Sequence, residues 1–223
     1  MWRAVVGIVI LLTCQLHGQP SGKASFVVSE KGRQTGTLET VVTQTAEGWR
    51  IGSTMQTNGA VPVRIVRLDL LYDRNWFARW MTMEMKQPDD VIVHVAVGRT
   101  TAQVDVVRAR EAGFRSHSVS PNTILRPERV YGAYEAVAAR LASGTVRDLP
   151  LFVPPVGETR AIVESVAIER VKTASGDLSA QHYVLTEVTG KPTRVDLWTH
   201  GGRLLRLELP ATGVSVVRAD VRP

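Results

Sequence analysis

The stretch VDLWTHGGRLLRLELP, residues 195–210, places Asp196, Trp198 and His200 at alternate positions beside two glycines. A carboxylate and an imidazole on one strand face are the materials of acid–base chemistry or of a metal site, so this trio is the first candidate. The same stretch also reads as a β-hairpin, in which successive side chains point to opposite faces. A two-residue Gly201-Gly202 loop would set Leu197 against Arg206, an unlike pair. A three-residue connection pairs like with like, Leu197 meeting Leu207 or Leu205. Either three-residue register puts Val195, Leu197, Leu205, Leu207 and Leu209 on one buried face. Asp196, Trp198 and His200 then share the other face with Arg206 and Glu208, and Trp198 marks a second, partly apolar surface.

Other reactive constellations are not signalled. His17, His94, His117, His182 and His200 include no pair spaced for one helix face or one short strand, and neither HExxH nor CxxC occurs. His94 sits between Val93 and Val95 in VIVHVAV and points from the opposite face of that strand. There is no GxSxG elbow, Walker loop or dinucleotide fingerprint. Asp89-Asp90 follows Pro88 at a strand end and reads as a turn. Carboxylate pairs for glycoside cleavage need a separation that only the fold sets. The expectation is a non-enzyme, with no catalytic residue, no metal and no cofactor.

The aromatic and methionine residues carry the stronger signal. Trp76 and Trp80 fall at i and i+4 on one face of a strand, with Met81, Met83 and Met85 on the other. Methionine fills irregular cores and also lines adaptable apolar binding surfaces. Two apolar faces suit a strand that meets the core on one side and a cavity or partner on the other. Tyr131 and Tyr134 stand where a helix would meet the sheet and could border the same space. The candidate ligand-binding residues are therefore Trp76, Trp80, Met83, Tyr134 and Trp198, with ordinary core packing as the competing role.

The elements that must position them are mostly strands. The chain has 223 residues, 44% hydrophobic and 22% charged, which suits one globular domain without disulfide or metal support. Branched Val and Thr recur, favouring a pleated surface. Strand-like segments run Ala24–Ser29, Thr35–Thr45, Trp49–Gln56, Val61–Tyr72, Trp76–Lys86, Val91–Val97 and Thr101–Arg108, separated by hairpin turns. Ala109–Arg126 is polar and irregular. One helix is expected over 128–142, opened by Pro127-Glu128 and stopped by Gly144. Its apolar stripe is Val130, Tyr134, Val137, Ala138 and Leu141, with Glu135, Ala139 and Arg140 on other faces. In LPLFVPP the prolines forbid a central strand. Five strands follow over Thr159–Lys172, Ala180–Thr189, Thr193–Thr199, Arg203–Leu209 and Val214–Val221. The expected fold is mainly β, a large curved antiparallel sheet or half-barrel wrapped around a single amphipathic helix, over 24–222. Curling buries a face that a flat sheet would leave uncovered, although two stacked sheets with the helix at one end fit the same order.

The net charge of +6 comes from scattered Lys and Arg with no cluster, which points to a solvated surface and to no nucleic-acid partner. At the start, MWRAVVGIVILLTCQLHGQP has one Arg and then an apolar run of ten residues, against the ~20 that a bilayer-spanning helix needs. It reads as a secretory signal peptide over 1–18, implying export to the periplasm or outer envelope. Leu11-Leu12-Thr13-Cys14 is similar to a lipoprotein box, so membrane attachment through a lipidated Cys14 stays open.

The second half, residues 120–215, resembles exported bacterial proteins of a domain-of-unknown-function family. The resemblance rests on Tyr134–Leu141, Leu149-Pro150-Leu151, His182-Tyr183, Val195–Trp198 and Gly202–Arg206. Such proteins look similar in architecture to lipoprotein carriers of the LolA and LolB type, whose curved sheet holds an acyl chain against helices. That likeness implies carriage of a lipid or other apolar molecule between sheet and helix. The alternative is a structural or interaction module that binds another envelope protein through an edge strand or the outer sheet face.

Overall fold

A computed structural model describes residues 21–87, 90–109, 111–144 and 146–221. The expected leader over 1–18, Cys14, Pro88 and Asp89 lie outside the described residues.

The first half forms β1 (Gly22–Glu30), β2 (Arg33–Gln44), β3 (Gly48–Thr57), β4 (Val63–Asp73), β5 (Ala78–Lys86), β6 (Asp90–Val97), β7 (Thr101–Arg108) and β8 (Glu111–Ser118). A crossover holds β9 (Ile124–Leu125), a 3-10 turn (Tyr131–Ala133) and α1 (Tyr134–Ala142). The return leg comprises β10 (Asp148–Val153), β11 (Gly157–Thr173), β12 (Gly176–Thr189), β13 (Lys191–His200), β14 (Arg203–Leu209) and β15 (Val214–Arg218). The meander runs outward from β1 to β8, and β10 to β15 bring the chain back until β15 pairs with β1. All fifteen strands share one sheet, antiparallel throughout except for the short parallel pair of β9 with β10. The mainly β, one-helix, curved-sheet expectation therefore holds.

The crossover passes through the concave side and ties both halves. Tyr72 Oη donates to Leu125 O at 3.2 Å, Ala78 N to Thr123 O at 3.2 Å, and Ser120 N to Glu158 Oε1 at 2.7 Å. Strand alternation supplies the apolar lining. In β6, Val91, Val93, Val95 and Val97 face inward while Ile92, His94 and Ala96 face out.

Two segments depart from expectation for identifiable reasons. Ala109–Arg126 contains β8 and β9; seven of the eight β8 residues are exposed, so this edge strand has no buried face to write an apolar alternation. The helix is shorter than 128–142, because Arg129 takes φ +59°, off the helical path, and the chain turns before α1. Nor does α1 lie on the sheet by one stripe. It sits inside the curl, with Glu135 and Ala139 buried along with Tyr134, Val137, Ala138 and Leu141. Small residues permit that depth. Gly132 passes so close to β3 that a Cβ there would lie 2.4 Å from Ser53 Oγ.

Glu135 anchors the buried helix. It accepts hydrogen bonds from Thr40 Oγ1 (2.9 Å), Arg203 Nε (3.1 Å), Arg203 Nη2 (3.0 Å) and Leu204 N (3.1 Å). A buried carboxylate becomes tolerable when a paired cation and further donors saturate it.

The β13–β14 hairpin combines the registers that composition alone sets against each other. The turn is the two-residue Gly201-Gly202, at φ +56° and +75°, values that glycine adopts without strain. A bulge between Trp198 and Thr199 then shifts the pairing, so Leu197 meets Leu207 and Trp198 meets Arg206. Val195, Leu197, Leu205 and Leu207 are buried.

Candidate functional site

The curl leaves a cavity of about 540 Å³ on the concave side, where the crossover enters α1. This lies within the roughly 300–1,000 Å³ of small-molecule sites. Its apolar walls are Val28, Met55 and Val63 from one half of the sheet and Val195, Leu209 and Val214 from the other, with Thr35, Thr57, Thr193 and Thr212 among them. These positions fall inward through strand alternation, and Tyr131 and Tyr134 close the side next to the helix. Val61 and Val156, 50% and 72% exposed, also border it and give it apolar lips.

One part of the lining is polar and buried. Arg126 Nη2 donates to Glu187 Oε2 at 2.6 Å, and Tyr134 Oη donates to Glu187 Oε1 at 2.9 Å. Arg126 is 8% and Glu187 5% exposed. The Arg126 Nε–H is buried and has no hydrogen-bond partner. Burial raises the Tyr134 phenol well above its ordinary range, and the adjacent Glu187 carboxylate adds to the shift, so the hydroxyl stays a donor. Burial likewise raises Tyr131. Glu30, Glu128 and Arg129 also border the cavity.

Of the five sequence candidates, Tyr134 borders this cavity. Trp76 precedes β5 at φ +63° and turns into the core, stacked on Trp49 at 5.1 Å and beside Tyr72 at 5.6 Å. It shares no face with Trp80, because the strand that would align them starts only at Ala78. Met83 is buried in the core. Trp80 borders an open hollow of about 330 Å³ on the outer face, with His94, Asp105 and Phe114.

Trp198 lies on the outer face of the return leg, in a closed network. Its ring stacks on His182 at 3.9 Å, Arg206 lies over it at 4.9 Å, and its Nε1 donates to Glu169 Oε2 at 2.8 Å. His182 is held between Glu169 (2.8 Å from Nδ1) and Asp196 (3.0 Å from Nε2). Burial would raise Asp196, but hydrogen bonds from Arg194 and His182 bring its pKa below the usual range. Hydrogen bonds from Trp198 and His182 lower Glu169. These donors diverge on opposite sides of an imidazole and do not converge on a point. His200 stands apart from Asp196, bonded to Ser179 O at 2.8 Å. The opening trio is thus not brought together.

The scan against protein families finds no match, and neither does the search of curated proteins. Among solved structures, the chain is similar to a DUF1089 family protein from Pseudomonas aeruginosa. That likeness has 12% identity over 94% of this chain and 98% of the other, with a TM-score of 0.45.

Residue type alone does not mark Arg126 or Glu187. Strand parity marks Glu187, which shares the inward face of Tyr183 and Leu185 on β12 and so puts a carboxylate on a core-facing position. Arg126 had only its place after Ile124-Leu125.

Proposed function

We propose that the protein is an exported, non-catalytic binding protein that carries a hydrophobic, lipid-like molecule between its curved sheet and its helix. The carrying observation is the 540 Å³ cavity, whose lining combines valine, methionine, leucine and tyrosine with threonines and a few charged side chains, and whose lips are exposed valines. Apolar lining of that extent favours an apolar occupant, since each buried Å² contributes roughly 25 cal/mol. Export rests on the leader-like start, and the likeness to LolA- and LolB-type carriers points to the same role. Native mass spectrometry and lipid extraction of the protein purified from its own envelope test this reading. One apolar molecule per chain is the expected result, and a bare chain would overturn it.

A second reading, an envelope interaction module, is favoured by one feature. The outer edge of β11 is covered by β10 over Gly157–Ile162 and meets Val221 at Thr173. Between them Val166 and Ile168 are exposed, Ile168 at 78%. An open apolar edge of this kind can accept a partner's strand. Cross-linking from Ile168 that captures one envelope protein, with the cavity empty, would select this reading over the first.

A further inference from the structure

The far end of β11 has a neighbouring strand on one side only. β12 pairs with it from Ala161 to Thr173, whereas β10 stops at Ile162 on the other side. From Glu164 to Lys172 the outward backbone groups have no strand beside them among the described residues, up to the bridge of Thr173 with Val221. Such a row of N–H and C=O groups is a template for a further strand. The other sheet edge, β8, differs, because Pro155 and Gly157 of the return leg stand against it.

The side chains of the free stretch identify its complement. Alternation puts Glu164, Val166, Ile168 and Arg170 on one side of the strand, the side of Tyr183. Val166 and Ile168 are 53% and 78% exposed. Glu164 and Arg170 form no ion pair among the described residues. Read backwards, this order is its own complement. A copy laid antiparallel with Ala167 opposite Ala167 sets Glu164 against Arg170 and Val166 against Ile168, and a two-fold axis makes each contact twice. Centring the pair on Ile168 instead sets Val166 against Arg170, and centring it on Val166 sets Glu164 against Ile168. Both alternatives match a charge with an apolar side chain.

We propose that this edge is a dimerisation surface. β11 of one copy pairs antiparallel with β11 of a second over Glu164–Arg170, about a two-fold axis at Ala167, and joins the two sheets into one. The proposal rests on the reading of the β11 edge as a strand acceptor and is independent of the cavity. A second copy satisfies the edge's backbone groups, covers Val166 and Ile168, and neutralises Glu164 and Arg170. One strand pair is a small interface, so dimer replaces monomer over roughly 1–100 μM.

Sedimentation velocity of the full chain over that range tests the association, and variants test the edge. Glu164→Arg sets like charges opposite each other twice and should weaken the dimer about tenfold. Adding Arg170→Glu restores opposite charges and should recover it. A Cys14→Ser background removes the sole native cysteine. In it, Ala167→Cys sets two thiols on the axis, where opposed Cα atoms lie about 4.5–5.5 Å apart, within disulfide reach. Oxidation should cross-link that variant. Ser165→Cys, opposite Glu169 of the second copy, should run as a monomer on denaturing gels. All four substituted edge positions are exposed, and circular dichroism checks that each variant is folded. A chain that stays monomeric throughout overturns the second copy as occupant. Capture of a different protein from Ile168 would then leave the strand-acceptor reading standing, and no capture at all would overturn both. A dimer that the charge variants leave unchanged, or that cross-links equally from Ser165→Cys and Ala167→Cys, overturns the β11 pairing.

Discussion

Two buried glutamate–arginine pairs face the inside of the same sheet, and they differ in their surroundings. At Glu135–Arg203, the carboxylate accepts four hydrogen bonds, and Arg203 Nη1 also reaches Gly22 O at 3.2 Å. At Glu187–Arg126, a comparably buried carboxylate is satisfied by two donors, and both residues border the cavity. The first pair is closed on itself and fixes the helix to β2 and β14. The second is open toward the cavity. Identical residue types thus tie the helix to the sheet in one place and edge the cavity in the other.

The contrast predicts unequal costs. Glu135→Gln should be the most damaging change, because it removes the buried carboxylate charge that neutralises Arg203. Breaking such a pair costs about 3–5 kcal/mol, a melting-temperature fall on the order of 10 °C for a chain of this size. Gly132→Ala should follow, at about 1–3 kcal/mol from overpacking, since the new Cβ would lie 2.8 Å from Ser53 Cβ. A Ser53→Gly partner substitution should recover much of that loss in thermal melts. Glu187→Gln should cost about 1–2 kcal/mol, because water in the cavity can solvate Arg126 once its partner is neutral. Chemical denaturation of the two Glu→Gln variants side by side decides the matter. Equal losses would remove the distinction between closed and open pairs.

A smaller effect belongs to the outer face. Asp196 and Glu169 have pKa values below their ordinary 3.8 and 4.5. Lowered folded-state values mean that the stabilisation is complete above those ordinary values and is lost as the pH falls through the lower, folded ones. Melts recorded from pH 6 down to pH 3 should therefore drop less steeply for Asp196→Asn than for the unaltered protein. A parallel drop would show that this network adds nothing to the acid response.

Much of this architecture was legible in the residues. Alternation in VIVHVAV and the hairpin turns announce a meander, and the fifteen-stranded antiparallel sheet follows it. What escaped was governed by long-range contacts. β8 is exposed and carries no apolar period, so its polar composition hid a strand. Trp76 and Trp80 look like neighbours on one face until the positive φ of Trp76 separates them. Arg126 and Glu187 are 61 residues apart, and their pairing follows from the curl rather than from any local pattern. The apolar stripe leaves Glu135 on another face, which a helix laid on a flat surface would expose; inside a curled sheet that face is buried too.

A fluorescent apolar probe titrated into three proteins decides whether the cavity takes an apolar molecule. The unaltered protein should bind one equivalent, and Trp80→Ala, altered only at the outer hollow, should bind the same. Met55→Trp, which fills the cavity from β3, should lose the fluorescence rise while retaining a cooperative melt. Unchanged binding by folded Met55→Trp, or loss of binding in Trp80→Ala, would exclude the cavity as the binding site.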